Sequence, residues 1–134
     1  KRRAVEAAVS RARDRLAEGA GPTAALATVG GPEFAVLAGV VLGVAGRGGA
    51  VVLDGLATSV AALCAVRLEP GAAAHLIAGQ RSREMAHGLV LEELGLEPLL
   101  DLRMRSGEGV GAALSTRLLA TALEMRATAG RVEA

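Results

Sequence analysis

The chain has no tryptophan and no tyrosine, and Phe34 is its only aromatic residue of the Phe, Trp and Tyr set. That rules out base stacking on interleaved aromatics as a way of holding single-stranded nucleic acid. Excess positive charge is lacking too. Fifteen Lys and Arg stand against fourteen Asp and Glu, a formal net charge of +1, which offers no general purchase on a phosphate backbone. Cys64 is the only cysteine, so no disulfide can close within the chain. A lone thiol in an apolar helical pattern fits a reducing cytoplasm and a buried structural role. Long hydrophobic runs are also missing. The longest, Phe34 to Gly46, is too short to span a bilayer, and Arg47 breaks it off from the next apolar residues. The charged start leads into an amphipathic segment and not into the apolar core of an export signal. Neither a membrane nor a nucleic acid is therefore an expected partner.

What is present is small. Ala and Gly make up about a third of the 134 residues, so packing must come from close approach of helices and strands. A chain of this length buries roughly two-thirds of its unfolded surface, and residues 1–134 read as one α/β domain.

Residues 1–17 set Val5, Ala8, Val9, Ala12 and Leu16 on one stripe of an amphipathic helix. A short helical stretch over Thr23–Thr28 comes after it. A helix over Pro32–Gly46 opens with Pro and Glu33 in its first turn; being apolar nearly all round, it is expected to lie buried between layers. Three strand and helix units come next: Ala50–Asp54 with Ser59–Val66, Ala74–Ala78 with Arg83–Leu94, and Pro98–Leu102 with Gly111–Met125. Strand starts about 24 residues apart suit β-α-β crossovers. The expected fold is α/β and three-layered: a parallel sheet of at least three strands covered by helices, part of a doubly wound arrangement. Residues 126–134 read as a frayed tail.

Such a sheet binds ligands outside the carboxyl ends of its strands. Those ends carry Asp54-Gly55, Gly79-Gln80-Arg81-Ser82, and the run from Asp101 to Glu108, so three turns deliver their polar groups to one crevice. Glu108 lies between Gly107 and Gly109, where a bare backbone lets a substrate come close to a helix start. It is read either as a solvated loop residue or as a site carboxylate. Asp54 and Ser82 are each read as caps of the helices that succeed them, or as pocket residues. Glu84 and His87 share a helix face at a spacing that metals use, yet no second pair accompanies them; no metal is expected, and His87 is read as a structural hydrogen-bonding residue.

Taken in order, "GGPEFAVLAG" (Gly30 to Gly39), "VVLDG" (Val51 to Gly55), "GQRSREMAHGLVLEELGLEP" (Gly79 to Pro98) and "EPLLDLRMRSGEGVGAAL" (Glu97 to Leu114) resemble the nicotinate-nucleotide–dimethylbenzimidazole phosphoribosyltransferases. The resemblance runs from Lys1 to about Ala127 and corresponds to the C-terminal portion of a family member. It implies transfer of phosphoribose from nicotinate mononucleotide to 5,6-dimethylbenzimidazole, giving α-ribazole 5′-phosphate and nicotinate in cobalamin lower-ligand assembly, with no cofactor. It further implies that Glu108 is the catalytic base, and that Lys1, Asp54, Gly55, Ser82, Ser106 and Gly107 contact ribose or phosphate. Gly31, Glu33, Gln80 and Gly109 are minor candidates on the same ground. A homodimer, or pairing with the N-terminal half of the enzyme, is implied as well.

The family pattern is departed from in two places. Gln80 stands where "GHxSxE" has His, and Ser106 where "RLGEG" has Leu. The family's "GMGIGNT" phosphate loop is not in these residues. A non-catalytic remnant or interaction module that keeps the fold and a nucleotide or phosphate pocket is the alternative to an enzyme.

Overall fold

The computed structural model describes residues 2–16, 21–104 and 106–129. Helix α1 (Arg2–Leu16) carries its apolar stripe as expected, although only Ala12 on it is buried. Helix α2 (Pro22–Ala25) runs on into a π-helical turn over Leu26–Gly30, in place of the single short helix expected. Gly31, at φ +89°, then turns the chain into α3 (Pro32–Ala45), with Pro32 in the first turn where a missing N–H goes unnoticed.

Strand β1 (Val51–Leu53) is succeeded by α4 (Leu56–Leu68), which starts three residues before the expected Ser59. A 3₁₀ turn over Pro70–His75 leads to β2 (Leu76–Ala78). The turn takes up Ala74 and His75, which the sequence pattern assigns to the strand; Pro70 and the Glu69 side chain, which accepts the Gly71 N–H, hold it in place. His75 donates from Nδ1 to the Gly49 carbonyl at 2.8 Å, tying the turn to the chain just ahead of β1. Helix α5 (Met85–Leu94) begins two residues later than expected and stops at Gly95 in the left-handed conformation. Helix α6 (Val110–Thr128) continues three residues beyond Met125, into the expected tail; residues 130–134 of that tail lie outside the described residues.

β1 and β2 pair in parallel, Val51 with Leu76 through Leu53 with Ala78. The expected third strand, Pro98–Leu102, is reduced to one parallel bridge between Gln80 and Leu100. Its backbone bonds are genuine: Leu99 N–H to Ala78 O, Leu100 N–H to Gly79 O and Arg81 N–H to Leu100 O, at 2.8 to 3.1 Å. Beyond Asp101 the ladder has no further partner among the described residues, and Arg103 turns the chain away at φ +52°.

Leu53 and Leu76 pack into a core with Ala38 and Val41 of α3 and Ala62 and Ala65 of α4. On the other face, a Cβ on Gly79 would meet Val52 and the Ser115 hydroxyl of α6. Helices thus flank the sheet on both sides, an α/β arrangement in layers. One expectation fails here. Helix α3 buries only Ala38 and Val41, while Val36 and Val40 are 64% and 51% exposed, because among the described residues its neighbours lie along one side only. Among the described residues no helix is long and apolar enough to cross a membrane.

Candidate active site

At the carboxyl ends of β1 and β2 an open cavity of about 660 Å³ is lined from three segments. The first supplies Asp54, Gly55 and Thr58, the second Gln80, Ser82, Arg83 and Glu84, and the third Met104 and Ser106 through Gly109. Of the residues expected from the sequence, Asp54, Gly55, Gln80, Ser82, Ser106, Gly107, Glu108 and Gly109 are brought together here. Gly31 and Glu33 are not. They sit at the start of α3, where Glu33 lies against Gly31, and they do not line the cavity. Lys1 lies outside the described residues.

Of the two readings open for Asp54 and Ser82, the cap of the next helix is not the one adopted. Asp54 does not cap α4, the next helix in the chain. The N-cap of α4 is Gly55, without a side-chain cap bond, and Thr58 ties down the approach to it: its Oγ1 accepts the N–H groups of Asp54 and Gly55 at 3.0 Å and donates to the Gly55 carbonyl. Asp54 is left free to reach across the molecule, and its Oδ1 accepts the Ala112 N–H in the first turn of α6 at 3.0 Å. A carboxylate is favoured at that position by the free N–H groups of a helix start. Ser82 likewise does not cap α5, whose N-cap is Glu84 without a side-chain bond. Ser82 faces Gly55 across the cavity floor, with its backbone N–H engaged elsewhere.

That N–H goes to His87. Nδ1 of His87 accepts it at 2.9 Å, and Nε2 stands 3.0 Å from the Ser59 hydroxyl. Since Nδ1 accepts, the proton resides on Nε2 and the ring is neutral. Burial, at 1% exposure, holds its pKa below the ordinary histidine value. Glu84 and Asp54 push the other way, and Arg81 adds to the lowering. Both ring nitrogens are occupied, so His87 has the structural role expected of it and no free atom for a metal.

The third segment differs. Glu108 takes φ +64° and Gly109 +79° before α6 begins. Glu108 is exposed and lines the cavity. Gln80 is 4% exposed, donates weakly from Nε2 to Asp54 Oδ1 at 3.4 Å, and leaves its buried Oε1 without a partner. Thr58 and Met104 are missed by sequence reading. Thr58 carries a signal, an Asp-Gly with Thr at the third helical position; Met104 carries none. Cys64, expected to be buried, is partly so, packs against the core, and has its thiol pKa raised by burial, with Arg67 opposing.

A family profile described as phosphoribosyltransferase matches residues 1–134. The chain belongs to this phosphoribosyltransferase family. It is similar to the nicotinate-nucleotide–dimethylbenzimidazole phosphoribosyltransferase of Chloroflexus aurantiacus, at 50% identity over 100 residues, 75% of this chain and 28% of that protein. The protein of that name from Thermus thermophilus is 47% identical over 115 residues, 86% of this chain and 34% of its own length. The crystal structure of CobT from Thermus thermophilus superposes with a TM-score of 0.81 at 45% identity, over 87% of this chain and 35% of that one. This family member therefore spans about a third of the length of the curated relatives it matches.

Proposed function

We propose that this chain carries the general-base half of a phosphoribosyltransferase site, moving phosphoribose from nicotinate mononucleotide to 5,6-dimethylbenzimidazole. One azole nitrogen attacks the anomeric carbon of the ribose as the bond from that carbon to the nicotinate ring breaks. The electron pair of the broken bond returns to the pyridinium, which leaves neutral. The proton on the other azole nitrogen passes to the carboxylate of Glu108. Attack from the face opposite the leaving ring inverts the β-nucleotide to α-ribazole 5′-phosphate.

Asp54 keeps one carboxylate oxygen for α6 and offers the other to a ribose hydroxyl. Ser82 and Gly55 face each other where the ribose phosphate would lie, and Ser106 and Gly107 form the wall beside Glu108. Ser106 in place of leucine makes that wall more polar. The observation that carries the reading is the convergence of Glu108, Ser82 and Asp54 on one cavity from three separate turns. Positioning two substrates beside a base accounts for most of such a rate, and the base itself for roughly 10² to 10⁴.

The cavity is open, and the chain matches only about a third of its relatives' length. Both facts favour completion of the pocket by residues corresponding to the remainder, and a homodimer seated in part on the exposed leucines of α6, Leu114, Leu118 and Leu123. The same facts give the second reading its support: a module that binds the nucleotide without turning it over. Nicotinate release from nicotinate mononucleotide and dimethylbenzimidazole separates the two. Release that Glu108→Gln lowers at least about a hundredfold, with nucleotide affinity unchanged, is expected of the enzyme. Binding without release by a folded protein is the module.

A further inference from the structure

We infer that Gln80 is a positioning residue, which through Asp54 sets the first turn of α6 and with it Glu108. The inference rests on the reading of Glu108 given above. Asp54 directly follows β1, Gln80 comes just after β2, and Ala112 lies in α6, so three segments far apart in sequence meet at one carboxylate oxygen. Oδ1 of Asp54 accepts the Ala112 N–H at 3.0 Å and faces Gln80 Nε2 at 3.4 Å. A carboxylate only accepts, so the amide of Gln80 must turn its NH₂ end to it. The consequence is visible at the other end: Gln80 Oε1 is buried without a partner. An apolar side chain of the same size would fill the space with no such orphan, and the bond to Asp54 is what the carboxamide gains from its orientation.

The same side chain is the seat of α6. A Cβ added to Gly111 would fall 2.2 Å from Gln80 Cδ and 2.3 Å from Cγ, so the backbone of the first turn rests directly on the carboxamide. Glu108 stands only three residues ahead of Gly111, in a left-handed conformation that nothing in its own side chain enforces. The direction in which its side chain leaves the backbone is therefore inherited from the turn behind it. Gln80 borders the cavity but is only 4% exposed and turns its Nε2 to Asp54, so it acts through Asp54 and Gly111.

Amide hydrogen exchange and amide NMR shifts of the full chain test this, compared between wild type and Gln80→Met. The variant keeps the length of the side chain and removes the N–H. Exchange at Ala112 is expected to speed up about tenfold, the loss of one hydrogen bond to a charged acceptor, with shifts at Glu108 and Gly109. Where nicotinate release is measurable, kcat is expected to fall about tenfold while KM for nicotinate mononucleotide stays within about twofold. Gln80→His, which again presents an N–H, should restore both. Unchanged exchange at Ala112 overturns the inference, as does faster exchange spread evenly over α4 and α5, or a kcat that does not move. If Gln80→Met fails to fold, Gln80→Leu removes the same donor and leaves the Asp54 acceptor in place: faster exchange at Ala112 supports the inference and unchanged exchange overturns it. A wild type that releases no nicotinate refutes the proposed function alone, since the exchange and shift measurements still decide the placement of Glu108.

Discussion

The two walls of the cavity are made of opposite materials. On the Ser82 side, His87 is buried, both its ring nitrogens are engaged, and the hydroxyl of Ser59 beneath it is wholly buried. On the Glu108 side, Ser106, Gly107 and Glu108 are exposed or nearly so, and the backbone enters α6 through two successive left-handed residues. Around His87, one wall holds its shape by satisfied polar groups under cover. The other is held only where it is anchored, at Asp54 and Gly111. A surface that must fit a sugar phosphate can be fixed in advance, whereas a carboxylate that must take a proton has to stay open to the reacting atoms.

The sharpest way to break this contrast is His87→Ala. It empties a buried site and strands the Ser82 N–H and the Ser59 hydroxyl, so a loss of about 3 kcal/mol is expected in chemical denaturation. The same wall should carry a pH signature. Burial keeps the folded pKa of His87 below its ordinary 6.5, so the unfolded chain binds the proton first as pH falls. Stability is then full above about 6.5, declines as pH drops from there toward the folded value, and levels below it. Urea midpoints from pH 8 down to 5 measure this, and a wild type whose midpoint does not fall, or a His87→Ala variant that keeps the slope, sets the assignment aside.

Much of this architecture can be read from the residues, and the parts that cannot share a cause. Pro32 and Gly31 mark the start of α3 and Gly95 the end of α5, because those signals act within a turn of themselves. The gathering of three polar turns at one rim comes from strand and helix alternation alone. Asp54 is legible as a cap but not as a cap of α6, whose Ala112 lies 58 residues away; local spacing says nothing of such a partner. Ser59 and Ser115 are completely buried and polar, which no pattern of hydropathy announces. The third strand reads as a full one because of its place in the strand and helix alternation, yet Asp101 interrupts its short apolar run and the pairing is cut to a bridge at Leu100. Helix α3 misleads for the converse reason: an apolar surface shows that something can cover it, not that the cover is in these residues.

On the exposed wall, a substitution should reverse in sign. Glu108→Gly removes a side chain that has no hydrogen bond among the described contacts and relieves a left-handed backbone that costs a non-glycine residue about 1 kcal/mol. Thermal unfolding should show a gain of about that size, along with loss of any nicotinate release. A destabilised Glu108→Gly would mean that the exposed wall is held by its carboxylate after all, and the contrast with His87 would fail.

The smallest effect belongs to the ion pair that joins the two walls. Arg81 Nε and Asp101 Oδ2 are 3.8 Å apart, with side chains 48% and 59% exposed, so water and salt screen most of their attraction. The segments they connect are already tied by the Arg81 N–H to Leu100 O bond at 2.8 Å, which a side-chain substitution leaves in place. Arg81→Gln is therefore expected to change stability by no more than about 0.5 kcal/mol, and by less in 1 M salt. Its more telling consequence lies inside. Arg81 is one of the groups that lower the pKa of His87, second in that direction to burial; its removal should raise that pKa part of the way toward the ordinary value. The decline in stability below pH about 6.5 then levels off sooner as pH falls, and its total depth shrinks. A stability loss well above that bound would instead give the exposed pair a structural role equal to the buried one, and the division between a covered wall and an open one would have to be redrawn.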